Sequence, residues 1–235
     1  MSSNQHIASV FDRDLETIQA QIMKMGGLVE EAILEAAISL ETRDEERAEA
    51  VRKADKKIDA LEETINEEAA RVIALRAPIA VDLRLILSVI KISANLERIG
   101  DYAKNMAKRT GVLASLAPVS DSGGALRRMA REVERMLKDA LDAYVNRDAE
   151  LAQDVIDRDM EVDQMYNALF REFLTFMMED PRNITACMHL HFIAKNIERM
   201  GDHVTSIAEQ TVYLVTGVHA DENRSKADTT SVQVL

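Results

Sequence analysis

Apolar residues return every three or four positions along most of this chain. One seam reads Val51, Ala54, Ile58, Leu61, Ile65, Ala69 and Val72. That spacing places its members on one side of an α-helix and suits antiparallel packing in a bundle. The same periodicity predicts a first helix from near Asp14 to about Thr42. Arg43 and Asp44 mark a tight connection, with Asp44 as N-cap of the second helix. Pro78 breaks the chain, and a third helix follows from about Ala80 to Leu113. The stretch Leu116–Gly124, where Pro, Ser, Asp and Gly cluster, reads as the one real linker. Beyond it the pattern predicts a helix to about Asn146, one from Asp148 to about Glu179, a break at Pro181, and one from Asn183 to Thr216. No alternation of β-branched residues marks a strand. Residues 1–10 and 218–235 are polar and aperiodic, and are expected to be disordered.

The order of these elements repeats because the chain does. Asn95-Leu-Glu97-Arg98-Ile-Gly100-Asp101 returns as Asn196-Ile-Glu198-Arg199-Met-Gly201-Asp202, 101 residues later. The register extends to Ile92 and Ile193, Met106 and Ile207, Ala107 and Ala208, and Thr110 and Thr211. Upstream, Asp55-Lys-Lys-Ile-Asp59 matches Asp159-Met-Glu-Val-Asp163 at an offset of 104, which also aligns Arg43-Asp44 with Arg147-Asp148, Val29 with Val133 and Met25 with Met129. The chain thus reads as two copies of a domain-sized unit. The expected fold class is all-α: six helices in two tandem three-helix bundles, at 10–115 and 125–217, with 218–235 as a tail.

Composition agrees with this reading. The 235 residues include 8 Gly, 3 Pro and no Trp, and 47% are hydrophobic, enough for each half to bury a core. The lone cysteine, Cys187, excludes an internal disulfide and is expected to pack in a helix as a small hydrophobe. MSSNQHIASVFDRD holds no apolar stretch of signal-peptide type. Arg84 and Lys91 interrupt the most hydrophobic region, so no bilayer span is expected, and the protein is read as cytoplasmic. A formal net charge of −12 argues against nucleic-acid binding and favours cations or basic protein surfaces as partners.

The candidate chemistry lies in four acidic pairs spaced i, i+4, which share a helix face: Asp55/Asp59, Glu97/Asp101, Asp159/Asp163 and Glu198/Asp202. On the third predicted helix, one apolar line runs Leu83, Leu87, Ile90, Ala94 and continues into Glu97 and Asp101. Asp55 and Asp59 directly follow seam residues Ala54 and Ile58. If the two helices are neighbours, four carboxylates converge at the bundle edge, where a multivalent cation would relieve their repulsion. Carboxylate oxygens suit Mg²⁺, Ca²⁺, Mn²⁺ or iron, and zinc stays open. Gly100 and Gly201 occupy helical positions where glycine costs about 1 kcal/mol relative to alanine, which points to a close approach of another backbone or of a metal cluster. The competing reading is a solvated face with salt bridges through Arg98, Arg199 and Lys56.

Other candidates are weaker. His189 and His191 face apart on a helix and read as packing residues, their counterparts being Ser88 and Ile90. His203 adjoins Asp202, but Tyr102 stands at its place in the first copy. The twelve methionines read as core filler, with an adaptable interface as the alternative. No nucleophile–base arrangement, phosphate-cradling loop or zinc spacing is present, so the protein is not expected to be an enzyme. A di-iron carboxylate enzyme would carry His three residues after Glu, where this chain has Gly100 and Gly201.

Pro78-Ile-Ala-Val-Asp82-Leu-Arg84, with Leu96-Glu-Arg-Ile-Gly-Asp101 and Ile197-Glu-Arg-Met-Gly-Asp202-His203, resembles the PhoU family over about residues 10–216. The second copy departs at Asn183-Ile-Thr185, where the first has Asp82-Leu-Arg84, and at Met160-Glu161 within the acidic motif. The family's metal motif, an acidic residue followed four positions later by Asp, fits all four pairs. The resemblance therefore implies Asp55, Asp59, Glu97, Asp101, Asp159, Asp163, Glu198 and Asp202 as ligands of divalent or trivalent metal ions. It further implies a cytoplasmic negative regulator of phosphate-starvation genes, dimeric, peripheral to a membrane complex. Its partners would be the ATPase of a phosphate ABC transporter and a phosphate sensor histidine kinase. A helical adaptor without functional metal is the alternative.

Overall fold

Two aspartates at repeat-equivalent places start two of the helices. Asp44 accepts a hydrogen bond from the Arg47 amide at 2.9 Å, and Asp148 accepts from the Glu150 and Leu151 amides at 3.0 Å. Each satisfies first-turn donors that the helix itself leaves open. In the computed structural model, which describes residues 2–119 and 122–218 and side chains from residue 13 onward, the helices are α1 (Ser2–Thr42), α2 (Glu45–Arg76), α3 (Val81–Ala114), α4 (Ser122–Asn146), α5 (Ala149–Glu179) and α6 (Ile184–Thr216). A single 3₁₀ turn, Pro181–Asn183, precedes α6. No strand occurs among the described residues, and none of their helices is long and apolar enough to cross a membrane.

Two boundaries differ from expectation. Helix α1 begins at Ser2 rather than near Asp14, so residues 2–10 continue the helix. Helix α4 begins at Ser122, which takes Gly123 and Gly124 out of the linker. Gly123 serves close packing instead of turning: a Cβ there would lie 3.2 Å from the Glu41 backbone of α1. The tail expected at 218–235 lies, except for Val218, outside the described residues.

The repeat is expressed as two similar bundles, α1–α2–α3 and α4–α5–α6, and residues aligned between copies are buried together. Met25 and Met129, Val29 and Val133, Ile92 and Ile193, and Met106 and Ile207 are all fully buried. The bundles are not separate. Helix α1 packs on α4 and α3 on α6, which closes the ring α1–α3–α6–α4. Helix α2 covers α1 and α3 from outside, and α5 covers α4 and α6. One continuous apolar core therefore runs through both copies, and the independence expected of two cores is lost. Cys187 is buried in α6 as a small hydrophobe. Of the methionines read as core filler, Met160, Met165, Met178 and Met188 are instead exposed, on α5 and the first turns of α6.

The α3–α6 seam carries polar contacts as well. His203 Nδ1 lies 2.8 Å from Asn95 Oδ1, which puts the proton on Nδ1, and its ring stands 5.7 Å from that of Tyr102. Tyr102 and His203 are repeat counterparts, so the duplicated motif meets itself here. Burial, with Arg98 and Arg199 nearby, lowers the His203 pKa against the opposing pull of Asp202. Farther along the seam, His189 pairs with Arg109 at 3.1 Å, and Arg109 also stacks on Phe192. His189 is thus an interface residue, as its packing reading expects, and His203, which adjoins Asp202 in sequence, meets the other copy instead.

The α1–α4 approach depends on Gly26, where a Cβ would fall 2.3 Å from Leu141 Cδ1. Its neighbour Gly27 faces open space. Gly26→Val is therefore expected to destabilise by about 1–3 kcal/mol through overpacking. Gly27→Ala should stabilise by up to about 1 kcal/mol through helix propensity. Chemical denaturation of the two variants checks the opposite signs.

Candidate functional site

The acidic pairs sit where α2 meets α3 and where α5 meets α6. The seam of α2 is rotated from its sequence reading: Ala48, Val51, Asp55, Ile58, Ile65, Ala69 and Val72 are buried, while Ala54 and Leu61 lie at its margin. Asp55 thus lies inside the apolar seam, 3% exposed, and Asp59 points outward. On α3 the line Leu83, Leu87, Ile90, Ala94 is not the core line. Leu87 and Ala94 are exposed, and the core side reads Ile86, Val89, Ile92, Leu96, Ile99, Ala103 and Met106. Glu97 and Asp101 flank that core, half-buried. The α3 helix is apolar along two adjacent lines, and only its neighbours decide which one is covered.

Gly100 and Gly201 explain why the helices come so close. A Cβ on Gly100 would meet Ile58 Cδ1 at 3.1 Å and Asp55 Oδ1 at 3.7 Å. On Gly201 it would meet Asp159 Oδ1 at 3.2 Å and Val162 Cγ1 at 3.4 Å. Each motif glycine thus lies over the buried aspartate of the preceding helix. The expectation of a close approach holds, and the approaching group is a helix side-chain pair.

The two sites share a plan and differ in depth. In the first, only Asp55 is buried; in the second, Asp159, Asp163 and Glu198 all are. Burial is the main cause that raises the carboxyl pKa of Asp59, Glu97 and Glu198. Neighbouring carboxylates add to it: Asp55 and Asp101 act on Asp59, Asp101 on Glu97, and Asp202 and Asp163 on Glu198. The carboxylates of each site are therefore close enough to repel one another.

A lysine answers each cluster, and sequence reasoning missed both. Lys104 pairs with Asp55 Oδ2 and reaches Asp101 Oδ1 at 3.2 Å. Those bonds, Asp55's first, raise its pKa. Lys195 binds Glu198 Oε1 at 2.9 Å and lies 4.8 Å above the Tyr166 ring. The available signal was spacing, since Lys104 follows Asp101 by three and Lys195 precedes Glu198 by three. Of the bridges expected on a solvated face, Arg98 approaches Glu97 at 3.7 Å, while Arg199 turns to the Tyr102 hydroxyl.

The donor chemistry fits a hard cation: all eight side chains are carboxylates. Two buried oxygens, Asp55 Oδ1 and Glu198 Oε2, accept no hydrogen bond, and such atoms are costly without a partner. As the side chains stand, no three His, Cys, Asp or Glu among the described residues gather closely enough to hold a metal ion. Binding would therefore require carboxylate rotamers to turn inward. The close helix crossing is the part of the site already built. Gly201→Leu is expected to cost about 1–3 kcal/mol by wedging α6 from α5, while the first site keeps its geometry. Unfolding midpoints together with amide exchange along α5 check this.

Comparison with known proteins agrees with the doubled plan. The PhoU domain profile matches twice, at residues 22–110 and 126–211. The "Phosphate-specific transport system accessory protein PhoU homolog" of Caulobacter vibrioides (strain NA1000 / CB15N) is 44% identical, over 97% of this chain and 99% of its own length. The protein of that name from Rhizobium meliloti (strain 1021) is also 44% identical, over 97% of each chain. Among solved structures, PhoU from Pseudomonas aeruginosa superposes with a TM-score of 0.85 at 39% identity, covering 88% of this chain and 100% of that one. The phosphate transport system regulatory protein PhoU from Streptococcus pneumoniae gives 0.81 at 30% identity, covering 90% and 99%. With the profile matching both halves and relatives aligned end to end, the chain belongs to the PhoU family.

Proposed function

We propose that this chain is a cytoplasmic accessory protein of a phosphate-specific transport system. In this reading it keeps phosphate-starvation genes off when phosphate is plentiful. The carrying observation is the nearly full-length identity to proteins that bear the accessory name. It acts by contact: as a dimer it bridges the transporter's ATPase and a sensor histidine kinase, and it turns over no substrate. The charge of −12 supports a basic docking surface on the membrane complex, where complementary charge speeds encounter and orients the partners. The related but inequivalent α2–α3 and α5–α6 faces supply two different contact surfaces.

The same proposal includes metal. Asp55, Asp59, Glu97 and Asp101 would hold one hard multivalent cation or cluster, and Asp159, Asp163, Glu198 and Asp202 another. When bound, the metal supplies positive charge that neutralises mutually repelling carboxylates and ties neighbouring helices together. The buried, unbonded oxygens of Asp55 and Glu198 support this reading. A metal-free helical adaptor is the rival, supported by the ion pairs that Lys104 and Lys195 already make.

Deleting the gene is expected to switch phosphate-starvation genes on in phosphate-rich medium, unless the sensor kinase is deleted too. Continued repression without this protein would end the regulatory reading. For the metal, saturating Mn²⁺ at about a hundredfold above its Kd should add about 2.7 kcal/mol per site. Asp101→Ala and Asp202→Ala should each remove one site's share of the shift in midpoint. The metal-free adaptor stands if wild type and double variant have the same metal content and the same midpoint.

A further inference from the structure

We propose that Lys104 is a built-in competitor for the first acidic site, so that a multivalent cation enters only by displacing its ammonium from Asp55 and Asp101. The inference rests on the metal reading above and concerns what governs occupancy. Lys104 is the one side chain shown to tie the carboxylates of α2 to those of α3 through a positive charge, by its contacts with Asp55 and Asp101. Asp55 is 3% exposed and its Oδ1 accepts no hydrogen bond, so the buried aspartate has coordinating capacity left beyond the lysine. The Lys104 side chain is itself 28% exposed. Its four-carbon stem can swing the ammonium into water without unpacking the helix.

The second copy shows that this lysine is not part of the shared plan. Its repeat counterpart is Thr205, a buried neutral residue whose hydroxyl donates to the Gly201 carbonyl of its own helix at 2.9 Å. The lysine of the second site stands elsewhere, at a position held by Ala94 in the first. Position 104 therefore adds a charge to one member of a duplicated pair.

The consequence is selectivity. A monovalent ion brings no more charge than the ammonium it must replace, and the tether keeps that ammonium at high local concentration. A hard divalent or trivalent ion gains several oxygen ligands and a larger charge, and only such an ion wins. The displaced ammonium then adds a positive charge to the α2–α3 face, so this face differs between the empty and loaded states.

The test uses the full chain with the second site silenced by Asp163→Asn and Asp202→Asn, and reads free Mn²⁺ by electron paramagnetic resonance. Lys104→Met should tighten Mn²⁺ binding roughly fivefold, about the upper end of the contribution of a partly exposed ion pair. Lys104→Arg should bind as weakly as the parent. Lys56→Met removes the same charge from an exposed neighbour of Asp55 and should change affinity by less than about twofold. Independently, in the otherwise unaltered protein, Mn²⁺ should increase acylation of Lys104, read by mass spectrometry. That measurement decides the matter should Lys104→Met fail to fold. Unchanged or weaker binding by Lys104→Met, equal tightening by Lys56→Met, or unchanged acylation would overturn the proposal while leaving metal binding intact. Absence of Mn²⁺ binding in every variant and in the unaltered protein would remove the metal reading and this proposal together.

Discussion

Burying a carboxylate at a helix crossing costs several kcal/mol unless positive charge meets it. This chain does so twice, at Asp55 beneath Gly100 and at Asp159 beneath Gly201. Much of the local design follows from that constraint. The covering helix carries glycine where it passes despite the propensity cost, because a Cβ there would press on Ile58 at the first crossing and on Asp159 at the second. Cations must be near, which Lys104 and Lys195 provide. In the first half Arg98 also approaches Glu97, at 3.7 Å. A fold optimised for stability alone would place apolar residues there, as the rest of the same seams do with Val51, Ile58 and Val155, Val162.

The repeated motif works on two sides of its helix. Glu97, Gly100 and Asp101 look toward α2 of their own bundle, while Asn95 and Tyr102 look across to the other copy and meet His203. In the second motif Gly201 looks toward α5 and His203 across to the first copy. Duplication therefore built the central seam and the outer acidic sites from a single string of residues. The pairing of Tyr102 with His203, and the different lysine positions, break the symmetry and make the two halves inequivalent.

The six helices, the cap at Asp44 and the doubled plan were legible because they rest on local signals: periodicity, capping chemistry and self-similarity. The pairing of the eight acidic residues on shared helix faces follows from their i, i+4 spacing alone. Gly123 misled as a turn residue because glycine serves both turns and close packing, and only the Glu41 backbone across the gap distinguishes the two uses. Leu87 and Ala94 misled because α3 is apolar along two lines, and a one-dimensional pattern does not say which neighbour covers which line.

Sequence by itself thus determined helix identity and the duplication, which depend on residues within a few turns or on comparison of the chain with itself. Tertiary structure decided that the two bundles share one core, that Asp55 rather than Ala54 lies in the seam, and that Lys104 reaches between α2 and α3. Those outcomes depend on the rotation of each helix about its axis. That rotation is set by the balance of all surrounding helices, among them α6, which packs on α3 from more than seventy residues further along the chain. No local rule carries that information, because the free energy that sets it is distributed over the whole packed interior.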